Sequence, residues 1–192
     1  MSSTTSAASP ASRTTGRVRE MAYIAIFVVL IAVCSWISIP TPAVEFTMQT
    51  FAVFMTAGLL GGRRATWAVI VYLLLGAAGV PVFAHFTGGL GILLGTTGGY
   101  FVGFILTALL VWAAEHFLGN KTWVLVVSLA LGMVLCYAFG TAWFMVVYAR
   151  QAGAIGLGTA LAWCVLPFVP VDAAKLVLAM FLRKRLKGLV KL

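Results

Sequence analysis

The chain has 192 residues, of which 62% are hydrophobic and 9% are charged, and its formal net charge is +9. The mean hydropathy of +1.09 excludes an ordinary soluble domain, in which about 25% of residues are charged. Hydrocarbon about 30 Å thick requires roughly 20 apolar residues per spanning helix, so the chain has material for about six spans. Continuous apolar runs at 21–39 and 123–147 favour an all-α polytopic bundle over a β-barrel, whose strands alternate.

The basic residues indicate the orientation of this bundle rather than a nucleic-acid partner. They precede the first predicted span, follow the second and fourth, and end the chain, at Arg13, Arg17, Arg19, Arg63, Arg64, Lys121, Arg183, Lys184, Arg185, Lys187 and Lys191. Cytoplasmic loops carry the excess of Lys and Arg. We therefore expect both termini of the six-helix bundle in the cytoplasm.

Residues 1–18 are rich in Ser, Thr and Ala and contain no acidic residue. This composition cannot bury a core and predicts a disordered cytoplasmic tail, followed by a transmembrane domain at 19–192. An organellar transit peptide is the alternative interpretation. Cys34, Cys136 and Cys164 lack metal-type spacing, which predicts reduced, packed thiols and no metal site.

We predict span one at 21–39, ending at Pro40 and Pro42, which favour extended backbone. Span two at 48–60 is short and leads through a tight turn at 61–64 into span three at 65–80. Span four ends near His116, and span five runs from Lys121 to about Arg150.

Four glycines recur every fourth residue, at Gly91, Gly95, Gly99 and Gly103. This spacing predicts one helix face that packs closely against another helix. Direct contact between these glycines and a ligand is the alternative.

The last apolar region is interrupted by Gly156, Gly158, Pro167 and Pro170. We expect residues 153–169 to cover the outer end of the bundle as a cap, and a final helix from Pro170 to about Lys187. Asp172 would then lie in the first turn, where the helix dipole favours a carboxylate. Lys175 would lie one turn deeper on the same face.

Asp172 and Lys175 are the main candidate site residues, because a charge near the bilayer centre costs about 3 kcal/mol and usually faces a cavity or a partner. The alternative is that they pair only with each other and fix the helix register. Gln49, between Thr47 and Thr50, needs partners for its amide, either on a neighbouring helix or on a ligand. Glu45 is expected to be a solvated loop charge.

Enzyme motifs are scarce in this sequence. The two histidines, His85 and His116, are not part of an HExxH or nucleophile motif, and no Walker loop is present. We expect no enzymatic activity, no cofactor and no intrinsic use of ATP.

Three stretches carry more specific motifs. The first joins IPTP at 39–42 to TMQTFAV at 47–53 and AGLLG at 57–61; the second joins YLLLGAAGVPVF at 72–83 to TGGLG at 87–91 and GTTGGY at 95–100. The third is PFVPVDAAK at 167–175. In this order and spacing they resemble the BioY family of biotin-binding S-components of energy-coupling factor (ECF) transporters.

The resemblance implies a six-helix vitamin-capture subunit in the bacterial cytoplasmic membrane, with its site open to the outside. Asp172 would accept the ureido N–H groups of biotin, and Lys175 would donate to the ureido carbonyl. The rest of the predicted substrate site comprises polar groups at its mouth and apolar walls, namely Thr47, Gln49, Phe51, Tyr72 and Phe86.

The implied partners are biotin, the lipid bilayer, a transmembrane coupling protein and the ATP-binding ATPase subunits of an ECF module. S-components show small residues four apart on the first helix, whereas Ala25 is here followed by Val29. Three alternatives remain at this point: an S-component for another vitamin, a structural membrane subunit with a register-setting ion pair, and an intramembrane hydrolase.

Overall fold

The computed structural model describes residues 10–40 and 44–189, which form eight α-helices and two short strands. The helices are α1 (Pro10–Trp36), α2 (Gln49–Leu60), α3 (Gly62–Ala77), α4 (Leu90–Leu94), α5 (Gly98–Leu118), α6 (Thr122–Ala152), α7 (Leu157–Cys164) and α8 (Phe168–Leu186). Strands β1 (Ser38–Ile39) and β2 (Phe46–Thr47) pair antiparallel between α1 and α2. A 3₁₀ turn, Ala84–Phe86, lies between α3 and α4.

Within the described residues, four segments are long and apolar enough to cross a membrane, so the chain is a helical membrane protein. They are Gly16–Trp36, Gly98–Leu118, Thr122–Ala152 and Leu157–Leu186, the last of which joins α7 to α8. Helix α2 has 12 residues and α3 has 16. At 1.5 Å per residue these two helices are about 18 and 24 Å long, shorter than the hydrocarbon layer.

Among the helix boundaries that differ from the predicted ones, the starts of α1 and α8 affect the interpretation of the sequence. Helix α1 begins at Pro10, inside the segment predicted as a disordered tail; residues 1–9, Pro42 and Lys191 lie outside the described residues. Helix α8 begins at Phe168, so Asp172 is its fifth residue and the predicted first-turn position was wrong. The helix can start before Pro170 because the first four N–H groups of a helix have no intrahelical acceptor, and a proline there loses no bond.

The segment after α6 contains a short helix rather than a span. Helix α7 has eight residues and is separated from α8 by a turn at 165–167. It packs against α6, and Cys164 belongs to a buried cluster with Phe144, Phe168 and Val44, the last of which comes from the loop before β2. This cluster ties α7 to the end of the bundle at which α2 begins.

The predicted single face of four glycines was wrong. Gly91 lies in α4 and Gly95 ends that helix, whereas Gly99 and Gly103 lie in α5. A Cβ on Gly103 would lie within 3.0 Å of three Cys136 atoms of α6. Close packing therefore explains the two glycines of α5, while the break at Gly95 separates the other two from that face.

We predict that Gly103→Leu destabilises the protein by about 1–3 kcal/mol, because a larger side chain overpacks the contact between α5 and α6. Thermal unfolding in detergent measures the effect. Gly158→Leu is the matched control, since nothing lies within 4 Å of a Cβ at Gly158. Equal melting temperatures for Gly103→Leu and the unmodified protein would contradict this packing role.

The end of the bundle opposite the start of α2 is held by buried polar contacts. Arg183, predicted to be part of a loop signal, is buried on α8, and its Nε donates to the carbonyl of Gly58 at 2.7 Å. Glu115 accepts a 2.7 Å bond from the amide of Gly62, at the turn between α2 and α3. Gly61 has a φ of 80° in this turn, a conformation that favours glycine.

Candidate functional site

A cavity of about 360 Å³ lies between α2, α4, α5, α6 and α8, at the end of the bundle that carries the β1–β2 hairpin. Its volume falls in the range of roughly 300–1,000 Å³ that small-molecule sites occupy. The wall is mainly apolar and aromatic, with a smaller number of polar groups on α2, α5, α6, α8 and the loops at the mouth. This division of apolar walls and few polar groups is typical of a ligand site.

Asp172 and Lys175 both line the cavity from α8 and are 3% and 6% exposed. The Lys175 ammonium donates to Asp172 Oδ1 at 2.7 Å and to the Thr47 carbonyl at 2.7 Å. The Tyr137 hydroxyl on α6 donates to Asp172 Oδ2 at 2.6 Å. Three elements, α6, α8 and β2, therefore fix the positions of these two charges.

The two charged groups retain bonding capacity beyond these contacts. A carboxylate has about four acceptor sites and an ammonium three donors, while Asp172 accepts two protein bonds and Lys175 makes two. Both side chains border the open volume of the cavity. The arrangement offers a ligand acceptors on Asp172 and a donor on Lys175, whereas a pair that only fixed helix register would need no adjoining cavity.

The Gln49 amide has protein partners, and the residue also borders the cavity. Its Nε2 donates to the Tyr72 hydroxyl at 2.5 Å, and its Oε1 accepts from the Thr47 hydroxyl at 3.2 Å. Gln49 and Thr47 also line the cavity. Tyr72 is fully buried behind Gln49 and donates onward to the Val82 carbonyl at 3.1 Å. Tyr72 thus orients Gln49 and does not reach the cavity itself.

The other two predicted aromatic residues also lie away from the cavity. Phe51 follows Gln49 by two residues, about 200° around the helix, and packs into the core beside α1 and α3. Phe86 is 64% exposed and stacks on Trp36 with ring centroids 4.7 Å apart. Its backbone is left-handed, with a φ of 56°, in the 3₁₀ turn Ala84–Phe86.

Different aromatic residues form the walls, and none of them was among the predicted site residues. They are Phe54, Phe83, Tyr100, Phe101, Phe104, Tyr137 and Phe168. Two signals were available in the sequence. Tyr100, Phe104 and Thr107 follow one face of α5 at helical spacing, and Tyr137 lies in the middle of an apolar span, away from the membrane interface where tyrosine is enriched.

A second pair of ionisable residues borders the mouth of the cavity. His85 Nε2, in the 3₁₀ turn, lies 3.3 Å from Glu45 Oε1, in the loop before β2, and both residues line the cavity. The two side chains are 48% and 36% exposed. Glu45 is therefore paired across two loops and is not a simple solvated charge.

The sequence as a whole identifies the family of this chain. The sequence profile of the BioY family matches residues 4–192. The chain belongs to the BioY family. The resemblance carried by the three sequence stretches is thereby confirmed.

Named BioY relatives match over most of their length. The biotin transporter BioY of Thermotoga maritima is 42% identical over 173 residues, covering 89% of this chain and 97% of the relative. The biotin transporter BioY of Rhizobium etli is 34% identical over 175 residues, covering 85% and 90%. The 2.1 Å crystal structure of the S-component for biotin from an ECF-type ABC transporter superposes with a TM-score of 0.80, at 26% identity and 95% coverage of both chains. The chain has the S-component fold.

Proposed function

We propose that this BioY chain is the substrate-capture subunit of a biotin uptake transporter and that its cavity binds biotin. The observation that carries the proposal is the buried group of Asp172, Lys175 and Tyr137 beside a cavity of ligand size. The named biotin transporters among its relatives and the S-component fold support the same function. The function is transport, not catalysis.

The chemistry of the cavity fits the two parts of the biotin ring system. The ureido ring has two N–H donors and one carbonyl acceptor, so Asp172 accepts from an N–H group and Lys175 donates to the carbonyl. The Gln49 amide, 5% exposed and also on the wall, is a further polar contact. The apolar thiophane ring packs against the aromatic wall formed by residues such as Phe83 and Phe104.

Six helices would cross the membrane: α1, α2, α3, α5, α6 and α8. Helices α2 and α3, which are short, require a locally thin bilayer or flanking side chains that reach the interface. Arg63, Arg64 and Lys121 cluster at the helix ends opposite the cavity, which favours both termini in the cytoplasm and the cavity facing outward. In this arrangement 19–192 is the transmembrane domain of a bacterial cytoplasmic-membrane protein and 1–18 is its cytoplasmic tail.

Release of biotin into the cell requires partners that use ATP. These would be a transmembrane coupling protein and the ATPase subunits of an ECF module, as the ECF-type context of the matching S-component supports. Ala22, Ala25 and Val29 are exposed on one side of α1, which gives a coupling protein a helix face without neighbours in the bundle. Val29 makes this face less flat than one built from small residues alone.

Isothermal titration of the purified protein in detergent with biotin tests the proposal. We expect saturable binding of one biotin per chain. A heat of binding with another vitamin, and none with biotin, would assign the chain to a different substrate. Absence of binding to any vitamin would favour a structural membrane subunit instead.

A further inference from the structure

The His85–Glu45 pair at the mouth is not used by the proposed recognition of the ureido ring. This inference rests on the proposed function, since it concerns the far end of the same ligand. Biotin ends in a carboxylate on a flexible alkyl chain, and that negative charge needs a partner within the protein or must stay in water.

The inner charged group is a poor partner for this carboxylate. Lys175 already contacts Asp172 at 2.7 Å, and a second carboxylate there would lie beside the negative charge of Asp172. Like charges that share a buried site repel strongly, whereas water screens the charge of Glu45, whose side chain is 36% exposed. The ligand chain therefore extends away from Asp172, toward the loops at the mouth.

We propose that His85 recognises the free carboxylate of the bound vitamin and that Glu45 positions the imidazole for this role. Among the cavity-lining residues that the structure describes, His85 is the cationic candidate besides Lys175. Because the His85 side chain is half-exposed, it can contact the part of a bound ligand that extends out of the cavity. Glu45 acts through His85, because a direct contact between Glu45 and the ligand carboxylate would be repulsive.

The protonation chemistry of the pair supports this assignment. The Glu45 carboxylate only accepts hydrogen bonds, so His85 Nε2, 3.3 Å away, carries a proton when the two groups interact. The second ring nitrogen then donates only when the imidazole is positively charged. In that form the imidazole provides both a cation and a second N–H donor for the ligand carboxylate.

The loop that carries His85 is fixed in place before a ligand arrives. Trp36 Nε1 donates to the Pro81 carbonyl at 3.0 Å, and the Thr87 hydroxyl donates to the Ala84 carbonyl at 2.8 Å. The Phe86 ring stacks on Trp36. A group held in its bound position loses little conformational entropy on binding, so His85 is preorganised at the mouth.

Hydroxyl groups at the mouth cannot provide the same discrimination. Thr87, Thr96 and Thr97 also line the cavity, but a hydroxyl bonds a carboxylate and a carboxamide alike. A positive charge favours the carboxylate over the neutral amide. Comparison of biotin with its neutral primary amide, biotinamide, therefore isolates the contribution of His85.

The test measures the affinity of both ligands by calorimetry for the unmodified protein, His85→Gln, Glu45→Gln and His116→Gln. We expect His85→Gln to weaken biotin binding about three- to fivefold, the upper part of the range for a partly exposed ion pair, and to leave biotinamide binding unchanged. Glu45→Gln should weaken biotin binding less. His116, the other histidine of the chain, lies on α5 outside the cavity lining, so its variant should match the unmodified protein.

Two outcomes separate the failure of this inference from that of the proposed function. If biotin and biotinamide both bind, and His85→Gln lowers the two affinities equally or not at all, the role assigned to His85 is wrong. The proposed capture of biotin is unaffected by that result. If neither ligand binds the unmodified protein, the proposed function itself fails, and this inference fails with it.

Discussion

Asp172→Asn is expected to weaken biotin binding roughly 10- to 100-fold, because a hydrogen bond to a charged group contributes about 1.5–3 kcal/mol. The carboxylate accepts from Lys175 and Tyr137 and still has acceptor sites for a ureido N–H. An amide of the same shape has one acceptor oxygen and turns an NH₂ group toward one of these donors. Calorimetry with biotin measures the loss.

Tyr137→Phe gives a second measurement that does not remove a charge. It deletes the 2.6 Å bond to Asp172 and should weaken biotin binding less than Asp172→Asn does. Tyr148→Phe is the matched control, since Tyr148 stacks on Phe144 and is not part of the cavity lining. If Asp172→Asn folds and binds biotin with unchanged affinity, Asp172 does not contact the ligand.

The charged core of this candidate site was predictable from the sequence, because a carboxylate and an ammonium within an apolar span have few stable surroundings. Their i,i+3 spacing placed both on one side of a helix whatever its first residue. The two-residue error at the start of α8 therefore changed the position of Asp172 in the helix but not its pairing with Lys175. Gln49 was predictable for a similar reason, since a buried amide requires partners.

The aromatic wall was not predictable in the same way. Phe51 is adjacent in sequence to the polar group of α2, yet the helical phase turns it toward the core. Phe86 depends on a left-handed loop residue, which bulky residues rarely adopt and which no local pattern indicates. Both assignments required knowledge of backbone geometry beyond the periodicity of the sequence.

The glycine pattern shows a similar limit. Four glycines at a spacing of four are typical of one packed helix face, but the chain leaves the helical path between Gly95 and Gly98. Gly91 and Gly95 consequently line the cavity, whereas Gly99 and Gly103 pack on α6. Spacing alone does not reveal where one helix ends and another begins. The sequence therefore offered the same two interpretations, close packing and ligand contact, for all four glycines.

The largest expected effect on stability comes from Lys175→Met. This change leaves the carboxylate of Asp172, 3% exposed, without its cation, and removal of one partner from a buried ion pair costs about 3–5 kcal/mol. The loss should appear as a lower free energy of unfolding in a denaturant titration in detergent, together with weaker biotin binding. Lys184→Met is the matched control, because Lys184 is an exposed lysine of the same helix.

The double variant Asp172→Asn/Lys175→Met separates stability from ligand binding. It contains no unpaired charge, and the amide oxygen that replaces the carboxylate still accepts from the Tyr137 hydroxyl, so its stability should recover most of the loss seen in Lys175→Met. Biotin binding should stay lost, since neither a carboxylate nor an ammonium remains for the ureido ring. If the double variant binds biotin normally, the pair only fixes the helix register. If the double variant is as unstable as Lys175→Met, an uncompensated charge is not the cause of the lost stability.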